Sequence, residues 1–289
     1  MEHSSSSHKA KHSSVEVGEL RITIVNKYGE KLMGVLHETC STELVILCHG
    51  FRSSKECTSL VTIASALAKE GITAFRFDFS GNGESEGSFQ YGNYHKDADD
   101  LRAVILHFFQ DNRVIRAIVG HSKGGNAVLL YAARYNDVHT VVNISGRFNL
   151  KKGIEGRLGN DYMQRIKKNG FIDVKNMKGK IVYRVTRESM VDRLTTDVGP
   201  ACLLIDNKCR VLTVHGSADE IVPTEDALKF DKKIPNHKVQ LIEGANHYFT
   251  SHQAELAFVV VDFIRVDQMD TYNQVPSCKG LNQSFRARL

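Results

Sequence analysis

A serine between closely spaced glycines is the first feature of this sequence that could do chemistry. The motif Gly120-His121-Ser122-Lys123-Gly124 follows the β-branched run 114–119 and precedes an Ala/Leu-rich segment. A Gly-x-Ser-x-Gly motif between a strand and a helix is typical of a sharp turn that exposes a nucleophilic hydroxyl. Gly120 and Gly124 permit a close backbone approach that a Cβ would block. The motif predicts Ser122 as a nucleophile, and an ordinary turn is the alternative.

A serine hydroxyl needs a base, and the base needs a carboxylate that orients it. Asp219 and His247 each follow an apolar run that reads as a strand, so both are expected at the same sheet edge as Ser122. Serine, acid and histidine occur in this chain order in one group of known triads. Glu220 is a rival to Asp219 as the orienting acid, and Asp226 is a more distant one.

Acyl transfer also requires two hydrogen-bond donors at the position where the carbonyl oxygen becomes an oxyanion. The motif His49-Gly50-Phe51 directly follows the apolar run 44–48. We expect the backbone N–H groups of Phe51 and Lys123 to be the two donors. A simple loop opening is the alternative interpretation of the motif.

Three other residues of these loops are assigned structural roles. His49 and Gly50 begin the loop that carries one expected oxyanion donor. Asp78 begins the segment Asp78-Phe79-Ser80-Gly81, which follows another apolar run. We expect Asp78 to support the turn at Ser122 through turn geometry.

The elements that must position these residues alternate between strand-like and helix-like patterns. After an N-terminal hairpin, short apolar runs alternate with amphipathic segments, which predicts an α/β fold with a mostly parallel sheet and helices on both faces. The predicted strands are Leu20–Val25, Lys31–His37, Leu44–Cys48, Ile72–Phe77, Val114–Val119, Thr140–Ile144, Arg210–Val214 and Lys238–Ile242. The predicted helices are Ser59–Lys69, Asp97–Phe109, Gly125–Tyr135, Glu225–Asp231 and Ala254–Arg265.

Residues 147–200 interrupt this alternation and are interpreted as an inserted basic cap. They contain two short strand candidates, Phe171–Val174 and Ile181–Val185. Thirteen Lys and Arg residues stand against six Asp and Glu residues in 147–197. The cap is expected at the carboxyl edge of the sheet, where α/β proteins bind their ligands. A solvated charged surface is the alternative.

Length and composition limit the class of protein. The 289 residues are 42% hydrophobic and 25% charged, as in globular proteins, and no apolar run is long enough to span a membrane. We expect one α/β core formed by 15–146 and 201–268, with a disordered tail at 1–14 and a mobile tail at 269–289. The net charge of +5 is too small to indicate a nucleic-acid partner. Six cysteines without C-x-x-C spacing indicate neither a disulfide framework nor a metal site.

As a set, these motifs resemble the α/β-hydrolase superfamily over about residues 18–266. Within it, the chain is most similar to feruloyl/cinnamoyl esterase-like serine hydrolases that carry a small inserted cap. The resemblance implies an α/β-hydrolase fold, a triad of Ser122, His247 and Asp219, and a cap that helps to hold an aromatic acyl group. Lys123 departs from the family, because many such esterases have Gln after the nucleophile. No part of 147–200 matches a substrate-binding motif.

We therefore expect a carboxylic ester hydrolase that forms an acyl-enzyme with small aryl or aliphatic esters, hydroxycinnamoyl esters included. It needs neither metal nor cofactor. A thioesterase or a monoacylglycerol-type lipase is one alternative, because a basic cap could bind the phosphates of coenzyme A. A non-catalytic ligand receptor or an acyltransferase on the same fold is another. The oligomeric state is not indicated by the sequence.

The two ends of the chain bear on its location. The first residues lack the apolar segment of a secretory signal, which favours a cytoplasmic protein. The C-terminal tripeptide Ala287-Arg288-Leu289 resembles the Ser-Lys-Leu peroxisomal address and makes peroxisomal targeting the alternative.

Overall fold

The computed structural model describes residues 18–272 of the chain. The expected N-terminal tail 1–14 and the tripeptide Ala287-Arg288-Leu289 lie outside the described residues. None of the helices in the described part combines the length and the apolar character needed to cross a bilayer.

Strands and helices alternate through residues 18–272, much as the hydrophobic pattern predicts. The strands are β1 (Gly18–Val25), β2 (Lys31–Glu38), β3 (Glu43–Cys48), β4 (Thr73–Phe77), β5 (Val114–His121), β6 (Thr140–Ile144), β7 (Phe171–Lys175), β8 (Ile181–Thr186), β9 (Arg210–Gly216) and β10 (His237–Ile242). The helices are α1 (Thr58–Lys69), α2 (Tyr94–Gln110), α3 (Lys123–Tyr135), α4 (Glu155–Leu158), α5 (Tyr162–Asn169), α6 (Arg187–Thr195), α7 (Val198–Cys202), α8 (Glu225–Asp231) and α9 (Gln253–Tyr272).

The central sheet has eight strands in the order β1-β2-β4-β3-β5-β6-β9-β10. β1 pairs antiparallel with β2, and β2 pairs antiparallel with β4, whereas all other neighbours in this sheet are parallel. The predicted α/β fold with a mostly parallel sheet is confirmed. Parallel pairing brings the carboxyl ends of β3 to β6, β9 and β10 to one edge of the sheet.

Alternating side chains divide each central strand between two cores, one on either face of the sheet. In β3, Leu44 and Ile46 belong to the cluster that contains residues of α2 and α3. Val45 and Leu47 belong to the cluster that contains residues of α1 and α9. Such strands are buried on both faces, which explains why they appear in the sequence as continuous apolar runs.

The insertion contains more helix than the sequence pattern predicts. The two strand candidates form the antiparallel hairpin β7–β8, separate from the main sheet. Four short helices, α4 to α7, were not predicted, because helices of four to nine residues give too few turns for a periodic apolar stripe.

The insertion has a small core of its own, which also includes residues of the main domain. Ile154, Ile172 and Met190 pack with Tyr91, and Phe51 lies against this cluster. The insertion therefore covers the loops that follow the carboxyl ends of β3 and β4. Its last helix, α7, instead packs in the main core through Val198 and Cys202.

The closing helix is longer than predicted. α9 continues to Tyr272, so residues 269–272 of the expected mobile tail 269–289 extend the helix, and 273–289 lie outside the described residues. No Gly or Pro interrupts the sequence between the predicted end at Arg265 and Tyr272, and helix continuation is therefore unobstructed.

Candidate active site

Ser122 occupies a strained turn between β5 and α3. Its φ of 55° and ψ of −115° are uncommon for a residue with a side chain, and its backbone N–H donates to the carbonyl of Ile144 at 2.7 Å. Glycines make this turn possible. A Cβ on Gly120 would lie 2.1 Å from the carbonyl oxygen of Gly124, and a Cβ on Gly124 would lie 2.5 Å from the carbonyl oxygen of Cys48.

The structure brings the three predicted triad residues into one hydrogen-bonded chain. The Nε2 atom of His247 lies 3.0 Å from the Oγ atom of Ser122. The Nδ1 atom of His247 lies 2.7 Å from the Oδ2 atom of Asp219. If Nδ1 donates to the carboxylate, Nε2 is left as the acceptor for the serine proton, which is the tautomer that a general base requires.

Asp219 is held as a buried anion by several donors. Its Oδ1 atom accepts hydrogen bonds from the backbone N–H groups of Ile221 and Val222, at 2.8 and 2.7 Å. Its Oδ2 atom lies 3.3 Å from the Nε2 atom of His215. Burial alone would raise the pKa of Asp219, but the hydrogen bonds from His215 and His247 outweigh it and hold this pKa well below its usual range.

His247 is buried and fixed through its backbone as well as its ring. The Nε2 atom of His121, inside the serine motif, lies 2.9 Å from the carbonyl oxygen of His247. Burial lowers the pKa of His247 below its ordinary value, although the hydrogen bond to Asp219 acts in the opposite direction. The imidazole is therefore neutral at neutral pH, as a base that accepts a proton must be.

The two rival carboxylates make other contacts. Glu220 Oε2 accepts a hydrogen bond from the backbone N–H of His247 at 3.4 Å and does not reach the ring. Asp226 pairs with Lys229 at 2.6 Å and accepts the backbone N–H of Phe148 at 3.0 Å. Of the three carboxylates considered, Asp219 alone is in contact with the imidazole.

The two expected oxyanion donors flank the serine. Lys123 is the first residue of α3, and the Gly50 backbone beside Phe51 approaches Ser122 so closely that an added Cβ would lie 3.1 Å from its Cβ. Within residues 18–272, neither the Phe51 nor the Lys123 backbone N–H has a hydrogen-bond acceptor. The N–H of Lys123, at the start of α3, is suited to stabilise negative charge.

The Lys123 side chain, the expected departure from the family, is turned to an acidic partner. Its Nζ atom lies 2.5 Å from the Oδ2 atom of Asp97 in α2 and 5.2 Å from the ring centroid of Tyr94. Burial raises the pKa of Asp97 to about 6 despite the nearby ammonium group. The ammonium is thus tied to α2.

His49 supports the loop that carries Phe51. Its Nδ1 atom lies 2.8 Å from the Gly50 carbonyl, and its Nε2 atom accepts the backbone N–H of Phe79 at 3.1 Å. Burial lowers the pKa of His49 to about 4, so this ring is neutral.

Asp78 supports neighbouring loops instead of contacting the serine turn. It accepts hydrogen bonds from the backbone N–H and the Nζ atom of Lys55, at 2.6 and 2.7 Å, and from the backbone N–H of Glu84 at 2.9 Å. The adjacent Phe79 links this segment to the loop that follows β3, because its backbone N–H donates to His49 Nε2.

A cavity of about 320 Å³ opens at the nucleophile, which is at the small end of ligand sites. The insertion forms part of its wall, and the main domain supplies the rest. The lining residues are Phe51, Tyr94, Ser122, Lys123, Asn126, Arg147, Gly153, Gly156, Arg157, Arg193, Glu220, Ile221 and Val222.

Several residues of this site were not assigned a role from the sequence. His215 is the penultimate residue of β9 and contacts Asp219, and His121 holds the backbone of His247. Arg147, Arg157 and Arg193 are brought to the cavity from separate positions in or beside the insertion. The only sequence signal for these arginines is the basic character of 147–200.

A family model described as "Serine aminopeptidase, S33" matches residues 39–200. An uncharacterized protein of Saccharomyces cerevisiae, YDL057W, is 23% identical over 226 residues, which cover 72% of this chain and 69% of the yeast protein.

Two solved structures share the fold at low sequence identity. Est1E from Butyrivibrio proteoclasticus has a TM-score of 0.71 and 23% identity, covering 86% of this chain and 99% of that one, and it has also been solved with ferulic acid bound. The Pyrococcus furiosus esterase Pf2001 has a TM-score of 0.68 and 19% identity, covering 90% of this chain and 96% of that one. At these identities the likeness establishes the fold.

Proposed function

The chain belongs to the serine aminopeptidase S33 family of α/β-hydrolases, and from that premise we propose that it is a serine hydrolase of carboxylic esters. One observation carries the proposal, the continuous hydrogen-bonded chain from Ser122 Oγ through His247 to Asp219, at 3.0 and 2.7 Å. The unoccupied backbone N–H groups of Phe51 and Lys123 beside the serine support the same chemistry.

In the proposed mechanism, Ser122 Oγ attacks the ester carbonyl carbon while His247 Nε2 takes the hydroxyl proton. The Phe51 and Lys123 N–H groups stabilise the resulting oxyanion, and Asp219 stabilises the imidazolium. When the carbonyl re-forms, the C–O bond to the alcohol breaks and the imidazolium gives its proton to the departing oxygen. Water then attacks the acyl carbon while His247 takes a proton from it, the bond from that carbon to Ser122 Oγ breaks, and the imidazolium returns its proton to Oγ as the acid leaves.

The charge of the cavity favours esters over aminopeptidase substrates. Arg147, Arg157 and Arg193 line it against the single lining carboxylate of Glu220. A peptide substrate with a free N-terminus brings an ammonium group, which these guanidinium groups repel. Esters of neutral or acidic acyl groups avoid this repulsion.

Aromatic side chains near the site are compatible with the hydroxycinnamoyl esters that the sequence resemblance implies. The Phe51 ring lies edge-on to the rings of Phe89, Tyr91 and Tyr183, with centroids 5.4 to 5.7 Å apart. The structure of Est1E with ferulic acid is a precedent on the same fold. We retain these esters as one substrate class within the proposal.

The test is covalent labelling and turnover of the same protein. A fluorophosphonate should label the wild-type chain on Ser122 and leave Ser122→Ala unlabelled. kcat/KM should then be measured for methyl ferulate, a p-nitrophenyl butyrate, a monoacylglycerol, an acyl-CoA and an alanine anilide. Ester turnover that falls roughly 10⁴-fold in Ser122→Ala supports the proposal.

The other outcomes are equally distinct. A preference for acyl-CoA would make the protein a thioesterase, and a preference for the anilide would make it an aminopeptidase. A serine that takes no label, in a chain that turns over none of the five compounds, would overturn the proposal in favour of a binding protein.

A further inference from the structure

Three arginine side chains meet at the cavity of the nucleophile without acidic partners. Arg147 follows β6, Arg157 lies in α4, and Arg193 lies in α6. Among the described residues, no carboxylate oxygen lies within ion-pair distance, 4.0 Å, of any of these three guanidinium groups. Buried or crowded charges normally have a counter-charge, so this arrangement suggests that a ligand supplies it.

Arg193 is the most restricted of the three. Its residue is only 7% exposed, and its guanidinium donates to the hydroxyl of Tyr94 at 2.7 Å and to the carbonyl of Lys152 at 3.3 Å. Its Nε atom is buried without a hydrogen-bond partner among the described residues. The guanidinium of Arg193 is thus a fixed cation whose hydrogen-bond partners are neutral and whose Nε–H has none among the described residues. It lines the cavity that contains Ser122.

The side chain of Asn126, in α3 of the main domain, holds the backbone of Arg147 through two hydrogen bonds. Its N–H donates to Asn126 Oδ1 at 3.2 Å, and its carbonyl accepts from Asn126 Nδ2 at 2.7 Å. Its guanidinium also donates to the carbonyl of Ile221. Burial and then the positive charge of Arg193 lower the pKa of Arg147, while the negative charge of Asp226 acts in the opposite direction.

Arg157 extends the positive surface to the reacting centre. Its guanidinium carbon lies 4.5 Å from the ring centroid of Phe51, whose backbone N–H is one expected oxyanion donor. Among the other charged side chains of the lining, Lys123 is paired with Asp97, and Glu220 is acidic. Three cations against one carboxylate leave the cavity positively charged.

We propose that this cavity binds an ester that carries a carboxylate or phosphate group, which Arg147, Arg157 and Arg193 hold beside Ser122. Guanidinium groups bind both anions through paired, charge-assisted hydrogen bonds. The small volume of about 320 Å³ selects a compact substrate, such as the monoester of a short dicarboxylic acid or a short ester of a phosphorylated alcohol. This substrate class rests on the proposed esterase function.

Binding is measured first, with Ser122→Ala protein and calorimetry at low salt, because this readout needs no turnover. Succinate and inorganic phosphate serve as the two anionic probes, and succinamide is the neutral match of succinate. We expect at least about tenfold tighter binding of one anion than of succinamide. The anion that binds more tightly separates a carboxylate substrate from a phosphate substrate.

Two further substitutions, each made in the Ser122→Ala protein, test whether the anion binds at these arginines. Arg157→Gln removes an exposed cation that lies over the Phe51 ring, and Arg193→Lys keeps the buried charge but loses the planar fork. Each should weaken anion binding about tenfold or more. Lys178→Gln makes the same charge change on an exposed part of the insertion and should have little effect. Equal weakening by Lys178→Gln and Arg157→Gln would overturn the proposal, because it would mean a general surface attraction only.

Turnover tests whether the bound anion is part of the substrate. Monoethyl succinate and ethyl succinamate differ only by carboxylate and amide, and 2-acetoxyethyl phosphate and 2-acetoxyethanol form the corresponding phosphate pair. The active enzyme should favour one charged ester about tenfold or more in kcat/KM, and Arg157→Gln should remove the preference. Equal turnover of charged and neutral esters would overturn the anionic subsite and leave the esterase proposal intact. Specific anion binding without hydrolysis of any ester would retain the subsite and overturn the esterase proposal.

Discussion

The Nε2 atom of His215 lies 3.3 Å from the Oδ2 atom of Asp219, the same oxygen that accepts from His247 at 2.7 Å. His215, the penultimate residue of β9, is fully buried and also donates to the carbonyl of Val222 at 2.9 Å. It therefore fixes the carboxylate that orients the proposed base, without itself touching the nucleophile.

We expect His215→Ala to lower kcat by about tenfold to a hundredfold, the effect of one hydrogen bond to a charged group. His215→Gln, which can return an N–H donor to a similar position, should recover part of that loss. The pH profile of kcat/KM separates positioning from mere loss of packing, because a less firmly held Asp219 moves the acid limb. An unchanged profile in a folded, slow His215→Ala variant would contradict this role.

Replacing the orienting carboxylate by an amide tests the choice among the three acids. Asp219→Asn leaves the shape of the side chain but favours the wrong imidazole tautomer, and kcat should fall about 10⁴-fold. Asp226→Asn should cost far less, because that carboxylate pairs with Lys229 and a backbone N–H. Steady-state kinetics on both variants decides the question, and a larger loss in Asp226→Asn would reject Asp219 as the orienting acid.

The proposed base also predicts the pH dependence. Burial lowers the pKa of His247 below its ordinary value of 6.5, so the neutral form should persist below pH 6.5. kcat/KM for a neutral ester should be constant near pH 7 and fall about tenfold per pH unit once His247 becomes protonated. Asp219, whose pKa lies well below its usual range, stays ionised throughout. An acid limb centred above pH 7 would contradict the assignment.

The serine turn depends on a close approach that only glycine allows. A Cβ on Gly124 would lie 2.5 Å from the carbonyl oxygens of both Cys48 and His49, which are backbone atoms that cannot easily move. Gly124→Ala should lower the free energy of unfolding by about 1–3 kcal/mol or more and reduce activity. Gly18→Ala, with no atom within 4 Å of the added Cβ, is the matched control. Urea unfolding of both variants measures the difference, and equal stability would refute the packing argument.

The main sheet and the proximity of Ser122, Asp219 and His247 could be predicted because local sequence patterns indicate them directly. Buried parallel strands appear as short apolar runs, and the loops at their carboxyl ends must share one edge. Ser122, Asp219 and His247 each follow such a run, so a common position at the carboxyl edge of the sheet was expected without knowledge of any side-chain contact.

The cavity lining could not be predicted in this way, because it depends on how the insertion folds over the edge. Arg157 and Arg193 lie in α4 and α6, short helices whose positions follow from a small core shared with Tyr91. The role of His215 was missed for a different reason. It directly follows the predicted strand Arg210–Val214, and only the structure shows that its Nε2 atom lies 3.3 Å from Asp219 Oδ2.

The support of the oxyanion loop leads to a last prediction, at Asp78. This carboxylate and the ammonium group of Lys55 are both buried and 2.7 Å apart, and Asp78 also accepts the backbone N–H groups of Lys55 and Glu84. Asp78→Ala leaves a buried cation with one partner fewer and two backbone donors unpaired. The free energy of unfolding should fall by about 3–5 kcal/mol.

Removing Lys55 as well distinguishes the charge effect from the backbone effect. The double variant Lys55→Met with Asp78→Ala should regain part of the lost stability but not all of it, because the backbone donors stay unpaired. Asp173→Ala breaks an exposed pair with Arg184 and should destabilise far less. If the double variant is as unstable as Asp78→Ala alone, the backbone hydrogen bonds account for the whole loss. In that case Asp78 acts by shaping the turn at 83–84, and the ion pair with Lys55 contributes nothing to stability.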